Sequence, residues 1–125
     1  MIVGPSGSGK SSLALLLMGY GCGLVADDRT EVTRQGAGLV ARCPAAISGM
    51  VEARGIGILA ADPVPQARVV LIVDLDAPKG ERMPERESQD ILGVAIVKLG
   101  GVAEPVFAAG VMQYLKSGFH ELGTP

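Results

Sequence analysis

The most specific pattern in this 125-residue chain is Gly4-Pro5-Ser6-Gly7-Ser8-Gly9-Lys10-Ser11, which fits G-x-x-x-x-G-K-[ST] at every required position. Glycine at positions 4, 7 and 9 permits backbone dihedral angles that other residues avoid, so bare N–H groups can face an anion. Lys10 can supply positive charge to the β- and γ-phosphates, and the Ser11 hydroxyl can ligate Mg²⁺. The motif therefore predicts a nucleoside triphosphate site.

The sequence on both sides of the motif supports this interpretation over a flexible glycine-rich loop, although the chain contains 18 glycines. A phosphate loop follows a strand and opens a helix. Here the apolar Met1-Ile2-Val3 precedes the motif, and Ser12 with an apolar run over 13–18 follows it. We expect a strand over 1–3 in the centre of a sheet, and a helix from Gly9 or Lys10 that ends at 19–21.

Composition limits the partners of the protein. The chain is long enough for one domain, and its apolar runs are far shorter than the ~20 residues that cross a bilayer. A net charge of −2, no basic run and few aromatic residues disfavour nucleic-acid binding. No secretory signal is visible, and two cysteines are too few for a disulfide framework. We expect a cytoplasmic protein with reduced cysteines and without a membrane or nucleic-acid partner.

Periodicity and turn residues predict a mixture of strands and helices along the chain. Strands paired as hairpins together with helices favour an α/β fold with a mixed sheet. The predicted elements after the first helix are a short buried strand over 23–26, a hairpin of 30–34 with 39–43, a small turn or helix after Pro44, a strand segment over 51–59, a strand over 67–75, an exposed loop over 76–88, a strand over 91–99 and a helix over 105–117 ended by Gly118.

Acidic residues at strand ends are the candidates to complete a phosphoryl-transfer site. Asp74 follows the longer apolar strand and is favoured by this pattern alone as the metal-side aspartate. Asp27 follows a shorter strand but is doubled by Asp28. Neighbouring strand residues point in opposite directions, so one carboxylate can face a metal and the other an incoming hydroxyl. The alternative is that both cap a turn.

Three further sites have a functional and a structural interpretation each. Glu52 and Arg54 are two residues apart on one predicted strand face and can serve a site or form a surface ion pair. Arg82, in the charged loop, can stabilise a transferring phosphoryl group or belong to a solvated charge cluster. His120 is the only histidine, and we expect it to be exposed and structural.

Four motifs taken in order resemble the bacterial HPr kinase/phosphorylase family, most closely its short form that lacks an N-terminal domain. The phosphate loop is common to many families, but the order of the other three is specific. The motifs are residues 4–11, Leu24-Val25-Ala26-Asp27-Asp28, the E-x-R-G-x-G-I of residues 52–58, and Glu81-Arg82-Met83-Pro84.

The resemblance implies a single P-loop kinase domain over residues 1–125, with a mixed sheet of the HPr kinase/phosphoenolpyruvate carboxykinase type and truncated at its N-terminus. It implies ATP- and Mg²⁺-dependent transfer of phosphate to a serine of HPr or a related phosphocarrier protein. The reverse phosphorolysis occurs in many members. Family members are typically hexameric, which implies a homo-oligomer.

The resemblance also implies a role for each site residue and reverses the preference for Asp74, which becomes a structural strand end. By this likeness Asp27 is the general base, Lys10 holds phosphate and Arg82 is the catalytic loop arginine. The implied metal-site residues are Ser11, Glu52 and Asp28.

Two alternatives remain open from the sequence. Ser12 stands where the family usually has an acidic residue, and the family's histidine upstream of the phosphate loop has no counterpart in the chain, which favours a weakened, nucleotide-binding regulatory module. Another P-loop hydrolase is the second alternative. The chain has no asparagine, which excludes the guanine-reading N-K-x-D and the catalytic loop of eukaryotic-type kinases.

Overall fold

The computed structural model describes residues 1–78 and 80–120 as a mixed α/β structure. Two helices and nine strands, with one 3₁₀ turn, make up these residues. In chain order they are β1 (Ile2–Val3), α1 (Lys10–Gly19), β2 (Glu31–Gln35), β3 (Gly38–Arg42), the 3₁₀ turn (Ala45–Ile47), β4 (Met50–Ala53), β5 (Gly57–Ala60), β6 (Gln66–Arg68), β7 (Leu71–Asp74), β8 (Glu87–Ile91), β9 (Val94–Gly100) and α2 (Pro105–Ser117).

The strands form one mixed sheet and two smaller antiparallel sheets. The four-stranded sheet has the order β1-β7-β9-β8, in which β1, β7 and β9 are parallel and β8 is antiparallel. Strands β2, β3 and β6 form a second sheet, and β4 with β5 forms a hairpin. The predicted α/β fold with a mixed sheet is confirmed, whereas β1 lies at the edge of its sheet and not at the centre.

The core lies on both faces of β7, because successive strand residues point to opposite sides. Leu71 and Val73 pack with the apolar residues of α1 and α2. Ile72, which lies between these two residues in the chain, is fully buried and points to the other face. It packs with Leu39 of β3 and Ile96 of β9. The helices and the β2-β3-β6 sheet therefore pack on opposite faces of the four-stranded sheet, with β7 in the middle of three layers. Neither described helix is long and apolar enough to cross a membrane.

Both helices have the predicted bounds, and glycine conformation sets their ends. Gly9 precedes α1 with φ 101°, a left-handed conformation that glycine adopts without steric cost. Pro105 occupies the first turn of α2, where its missing N–H is not needed. Gly118 follows α2 with φ 70° and donates its N–H to the Tyr114 carbonyl at 2.7 Å.

Four predicted strands differ from the observed ones. The segment 51–59 is two strands, since β4 and β5 pair as a hairpin. The run 67–75 is two strands, since β6 pairs with β3 and β7 pairs with β1 and β9 in another sheet. The segment 23–26 forms only a single bridge between Leu24 and Pro63. The strand over 91–99 is the second half of a β8-β9 hairpin whose turn residues, Leu92 and Gly93, have φ 52° and 81°. The loop after β7 ends at residue 86, and β8 begins at Glu87.

The parallel strands bring three connections to one edge of the four-stranded sheet. The carboxyl ends of parallel strands meet at the same edge, where ligands bind in open α/β sheets. The segment that follows β1 is the predicted phosphate loop, the segment after β7 carries Arg82, and a short connection joins β9 to α2. A Cβ added to Gly9 would lie 3.0 Å from the Ala103 Cβ, so the first and third of these segments are in contact.

Candidate nucleotide site

The phosphate loop has the backbone that its sequence predicts. Gly4, Gly7 and Gly9 have φ of 151°, 82° and 101°, which are values that side chains with a Cβ rarely adopt. A Cβ at Gly4 would also lie 2.7 Å from the Ser8 Oγ. The loop leads directly into α1, so its N–H groups lie at a helix N-terminus, which favours bound anions.

Two side chains of this loop are suited to a phosphate ligand. Lys10 Nζ donates to the Gly4 carbonyl at 2.5 Å and to the Pro5 carbonyl at 3.2 Å, which holds the ammonium over the loop. The Ser8 Oγ is buried and has no hydrogen-bond partner among the described residues. An unpartnered buried hydroxyl is costly, and an additional acceptor or donor in the loop would relieve that cost. The loop therefore fits the triphosphate that its motif predicts.

Asp27 connects the phosphate loop to the β4-β5 hairpin. One carboxylate oxygen accepts a hydrogen bond from the Ser11 Oγ at 2.7 Å, and the other accepts one from the Glu52 backbone N–H at 2.9 Å. Asp27 is half-buried, whereas the neighbouring Asp28 is exposed. The structure thus places a carboxylate directly beside the hydroxyl that the motif assigns to the metal.

A cleft of about 300 Å³ opens beside this contact. Its polar wall contains five of the predicted site residues, and its other wall is apolar. The polar residues are Lys10, Ser11, Asp27, Asp28 and Glu52, and the apolar ones are Ile47, Met50, Val51 and Ile58. The apolar wall was not predicted as part of the site. The hairpin sequence carries no alternation that could have indicated it, because β5 is exposed at every position and Met50 and Ile58 are exposed apolar residues.

The donors in the cleft fit a magnesium ion that is bound mainly by a substrate. The described residues contain no group of three or more His, Cys, Asp or Glu side chains that could hold a metal by themselves. Mg²⁺ usually keeps several waters and takes one or two protein carboxylates together with phosphate oxygens. Ser11, with the acidic residues on the same wall, matches that requirement.

Arg82 lies outside this cleft. Its exposed segment borders a second cleft with Leu99, Gly100 and Phe107. Arg82 nevertheless belongs to the connection that leaves β7 at the edge where the phosphate loop leaves β1. The structure therefore brings the arginine to the same edge of the sheet but not into contact with the other predicted residues.

The remaining candidates are peripheral. Arg54 lies in the turn after β4, so the prediction that it shares a strand face with Glu52 is wrong. His120 is exposed, as predicted. Both cysteines are free and half-buried, and the Cys22 Sγ lies 3.3 Å from the Met112 Sδ. A third, largely apolar cavity of about 300 Å³ extends between α1 and β7, and Lys10 and Asp27 also line it.

Asp74 has a structural environment at the end of β7. Its carboxylate accepts the Asp76 backbone N–H at 2.9 Å and lies 3.4 Å from the Lys98 Nζ. The hydrogen bond from Asp76, followed by the interactions with Lys98, lowers the pKa of Asp74 below its ordinary value of 3.8. These contacts account for Asp74 without a ligand.

We expect Asp74→Asn to destabilise the protein at neutral pH and to lose this effect in acid. A carboxyl whose pKa is lower in the folded state stabilises the fold above its unfolded pKa, and the gain disappears as pH falls through the folded pKa. Urea unfolding should therefore give a lower midpoint for the variant at pH 7 and converging midpoints below about pH 4. Asp76→Asn is the matched control, because it keeps the backbone N–H. A midpoint difference independent of pH would contradict this assignment.

Comparison with known proteins agrees with the motifs and the fold. The family model described as HPr serine kinase C-terminal domain matches residues 1–100. Proteins named HPr kinase/phosphorylase from Bordetella pertussis and Burkholderia cenocepacia are each 38% identical, over 112 and 111 aligned positions. Both alignments cover 79% of this chain and 36% and 34% of the relative, so the chain spans about a third of their length.

A solved structure supports the fold as well. The structure titled as the Hpr(Ser) kinase/phosphatase from Coxiella burnetii superposes with a TM-score of 0.73 at 26% sequence identity. The match covers 92% of this chain and 83% of that one, so it includes most of the region beyond residue 100. The observed architecture is consistent with a kinase-type P-loop fold. With the family model covering most of its length, the chain belongs to the HPr serine kinase C-terminal domain family.

Proposed function

We propose that this chain carries the catalytic site of an ATP- and Mg²⁺-dependent serine kinase that acts on HPr or a related phosphocarrier protein. The observation that carries the proposal is the carboxylate of Asp27, 2.7 Å from the Ser11 Oγ at the start of α1. A phosphate loop, an acid beside its serine and a cleft next to both are what phosphoryl transfer requires. Residues 1–125 are proposed to be part of one catalytic domain.

The binding roles follow from charge and position. The backbone N–H groups of the loop, together with Lys10, would hold the β- and γ-phosphates. Ser11 and Glu52 would hold Mg²⁺, with Asp28 beside them, and the ion would neutralise charge on the phosphate oxygens. Glu52 is suited to this role because it is exposed on the cleft wall and its own backbone is fixed to Asp27.

Asp27 is proposed as the general base. As the seryl oxygen of the acceptor bonds to the γ-phosphorus and the bond to ADP breaks, the seryl proton passes to the Asp27 carboxylate. In the reverse phosphorolysis the same residue would return the proton. Two hydrogen bonds orient this carboxylate in the cleft. The contact with Ser11 also suits a role at the metal, and the experiment on Asp27 in the Discussion separates the two roles.

Arg82 is proposed to stabilise the charge of the transferring phosphoryl group. Donors placed where charge develops in the transition state are worth more than donors that merely bind the substrate. The position of its loop at the carboxyl end of β7 supports this role.

The test is transfer of labelled phosphate from ATP to purified HPr-type protein in the presence of Mg²⁺. We expect label on a seryl residue of the acceptor, and none on an acceptor with that serine changed to alanine. Absence of transfer, both by this chain and by a version extended with upstream sequence of a relative, would reject the kinase. Phosphorolysis is tested by adding inorganic phosphate to the labelled acceptor.

A nucleotide-binding regulatory module is the second candidate, and the exposed Ser12 favours it. The resemblance places an acid at this position, so its absence removes one negative group near the metal. Saturable ATP binding without turnover, unchanged in Asp27→Asn, would support the module over the kinase.

Assembly and location are proposed from the family. We propose a cytoplasmic homo-oligomer, hexameric by resemblance, without a nucleic-acid or membrane partner. Sedimentation analysis of the purified protein measures the oligomeric state, and a monomer at micromolar concentration would contradict it.

A further inference from the structure

The segment 76–86, here called the Arg82 loop, needs support from the rest of the molecule. It connects β7 to β8, has several charged residues and is almost entirely exposed where it is described. A loop of this kind has few contacts of its own to fix its conformation. A guanidinium that stabilises a phosphoryl group must nevertheless be held within a narrow range of positions.

The structure supports the loop at its beginning and its middle from the β9-α2 connection. The Pro78 carbonyl lies directly against Gly100, where no side chain could fit. The middle of the loop borders a cleft with the Phe107 ring, and this ring in turn covers Gly101. The first turn of α2 therefore forms one wall of the space into which the Arg82 segment opens.

The end of the loop is held by Phe119, which lies two residues beyond the end of α2. The guanidinium carbon of Arg86 lies 4.3 Å from the centroid of the Phe119 ring. The Phe119 ring packs edge-to-face on Tyr114, with centroids 4.9 Å apart and planes at 60°. A cation over an aromatic face is attracted by the ring quadrupole, and the contact with Tyr114 fixes the ring.

We infer that Phe119 is a positioning residue for Arg82. Its ring contacts Arg86, four residues after Arg82, and so restrains the loop end near the sheet edge where the phosphate loop lies. Phe119 lies beyond residues 1–100, the part that matches the family model. The inference rests on the proposed role of Arg82 and assigns a catalytic contribution to the region that follows β9.

Limited trypsin digestion tests the contact without any need for activity. Arg82 is followed by methionine and is a cleavage site in the loop, whereas the exposed Arg29 is an internal reference far from Phe119 in sequence. We expect Phe119→Leu to raise cleavage after Arg82 by about fivefold or more and to leave cleavage after Arg29 unchanged. Leu115→Ala, which removes a partly exposed apolar side chain from the last turns of α2, is the matched control and should change neither rate.

Transfer kinetics test the positioning role. We expect Phe119→Leu to lower kcat for transfer by about tenfold or more while the KM for ATP stays within about twofold. Phe119→Trp, which retains an aromatic face, should restore kcat and resistance to trypsin.

The outcomes separate this inference from the proposed function. Absence of transfer both by the wild-type chain and by its upstream-extended version rejects the kinase, and the digestion alone then decides whether Phe119 holds the loop. Equal acceleration of cleavage after Arg29 and Arg82 would show a general loss of structure and would overturn the inference. Faster cleavage of Phe119→Leu after Arg82 alone, with unchanged kcat in an active enzyme, would overturn the inference as well. The same holds if Phe119→Leu is digested at the same rate as the wild-type protein.

Discussion

Asp27→Asn is expected to abolish phosphoryl transfer and to preserve ATP affinity. Asparagine has nearly the same shape, and its amide oxygen can still accept a hydrogen bond from the Ser11 Oγ or from the Glu52 N–H. It cannot accept the seryl proton, and loss of a general base typically costs about 10² to 10⁴ in rate. Labelled-phosphate transfer measures kcat, and calorimetric titration with a non-hydrolysable ATP analogue measures affinity.

The control for this variant is Asp62→Asn, which makes the same charge change at an exposed residue between β5 and β6. It should behave as wild type in both measurements. A wild-type transfer rate in Asp27→Asn would refute the general base. If higher Mg²⁺ concentration restores transfer, Asp27 acts at the metal and another group accepts the proton.

Lys10→Ala is expected to weaken ATP binding itself. The ammonium is held over the loop by the Gly4 and Pro5 carbonyls, in position to exchange these acceptors for phosphate oxygens. Charged hydrogen bonds contribute about 1.5–3 kcal/mol each, so Kd should rise by about tenfold to a hundredfold. The same calorimetric titration measures this change directly.

Lys116→Ala is the matched control, because it removes an exposed lysine from the last turn of α2. It should leave Kd unchanged. The contrast with Asp27 is the critical result: one variant loses affinity and the other loses turnover. Similar nucleotide affinities for Lys10→Ala, Asp27→Asn and wild type would contradict the assigned division of roles.

The parts of the fold that follow from local sequence were predictable. The phosphate loop and both helices have their expected bounds, because glycine and proline at the helix ends act within a few residues. The β2-β3 hairpin was predicted from alternation around Gly36, which has φ 62° in the turn. Each of these features depends on residues that are close together in the chain.

The errors concern features that depend on distant residues. The apolar run continues through Val69 and Val70 whether or not the strand changes sheets, so the pattern could not separate β6 from β7. Leu92 gave no turn signal, since a non-glycine residue with positive φ is uncommon. The segment that ends at Ala26 has an apolar pattern but lacks a neighbouring strand beyond its one bridge.

In the candidate site, too, local features were predictable and contacts between distant residues were not. The residues of the phosphate loop could be predicted from their spacing, whereas the contacts that distinguish Asp27 from Asp74 could not. The apolar pattern favoured Asp74, and only the resemblance favoured Asp27. The contact between Asp27 and Ser11 joins residues 16 apart, and the contact of Asp74 with Lys98 joins residues 24 apart. Neither contact can be predicted from the periodicity of neighbouring residues.

The continuous passage from β6 into β7 also limits how the chain can be engineered. Since residues 66–74 serve the outer antiparallel sheet and then the central one, new termini or an inserted reporter between 68 and 71 would separate two layers that share a single backbone. The exposed β2-β3 turn at residues 36 and 37 connects two strands of one sheet, so it is the permissive position for circular permutation or labelling.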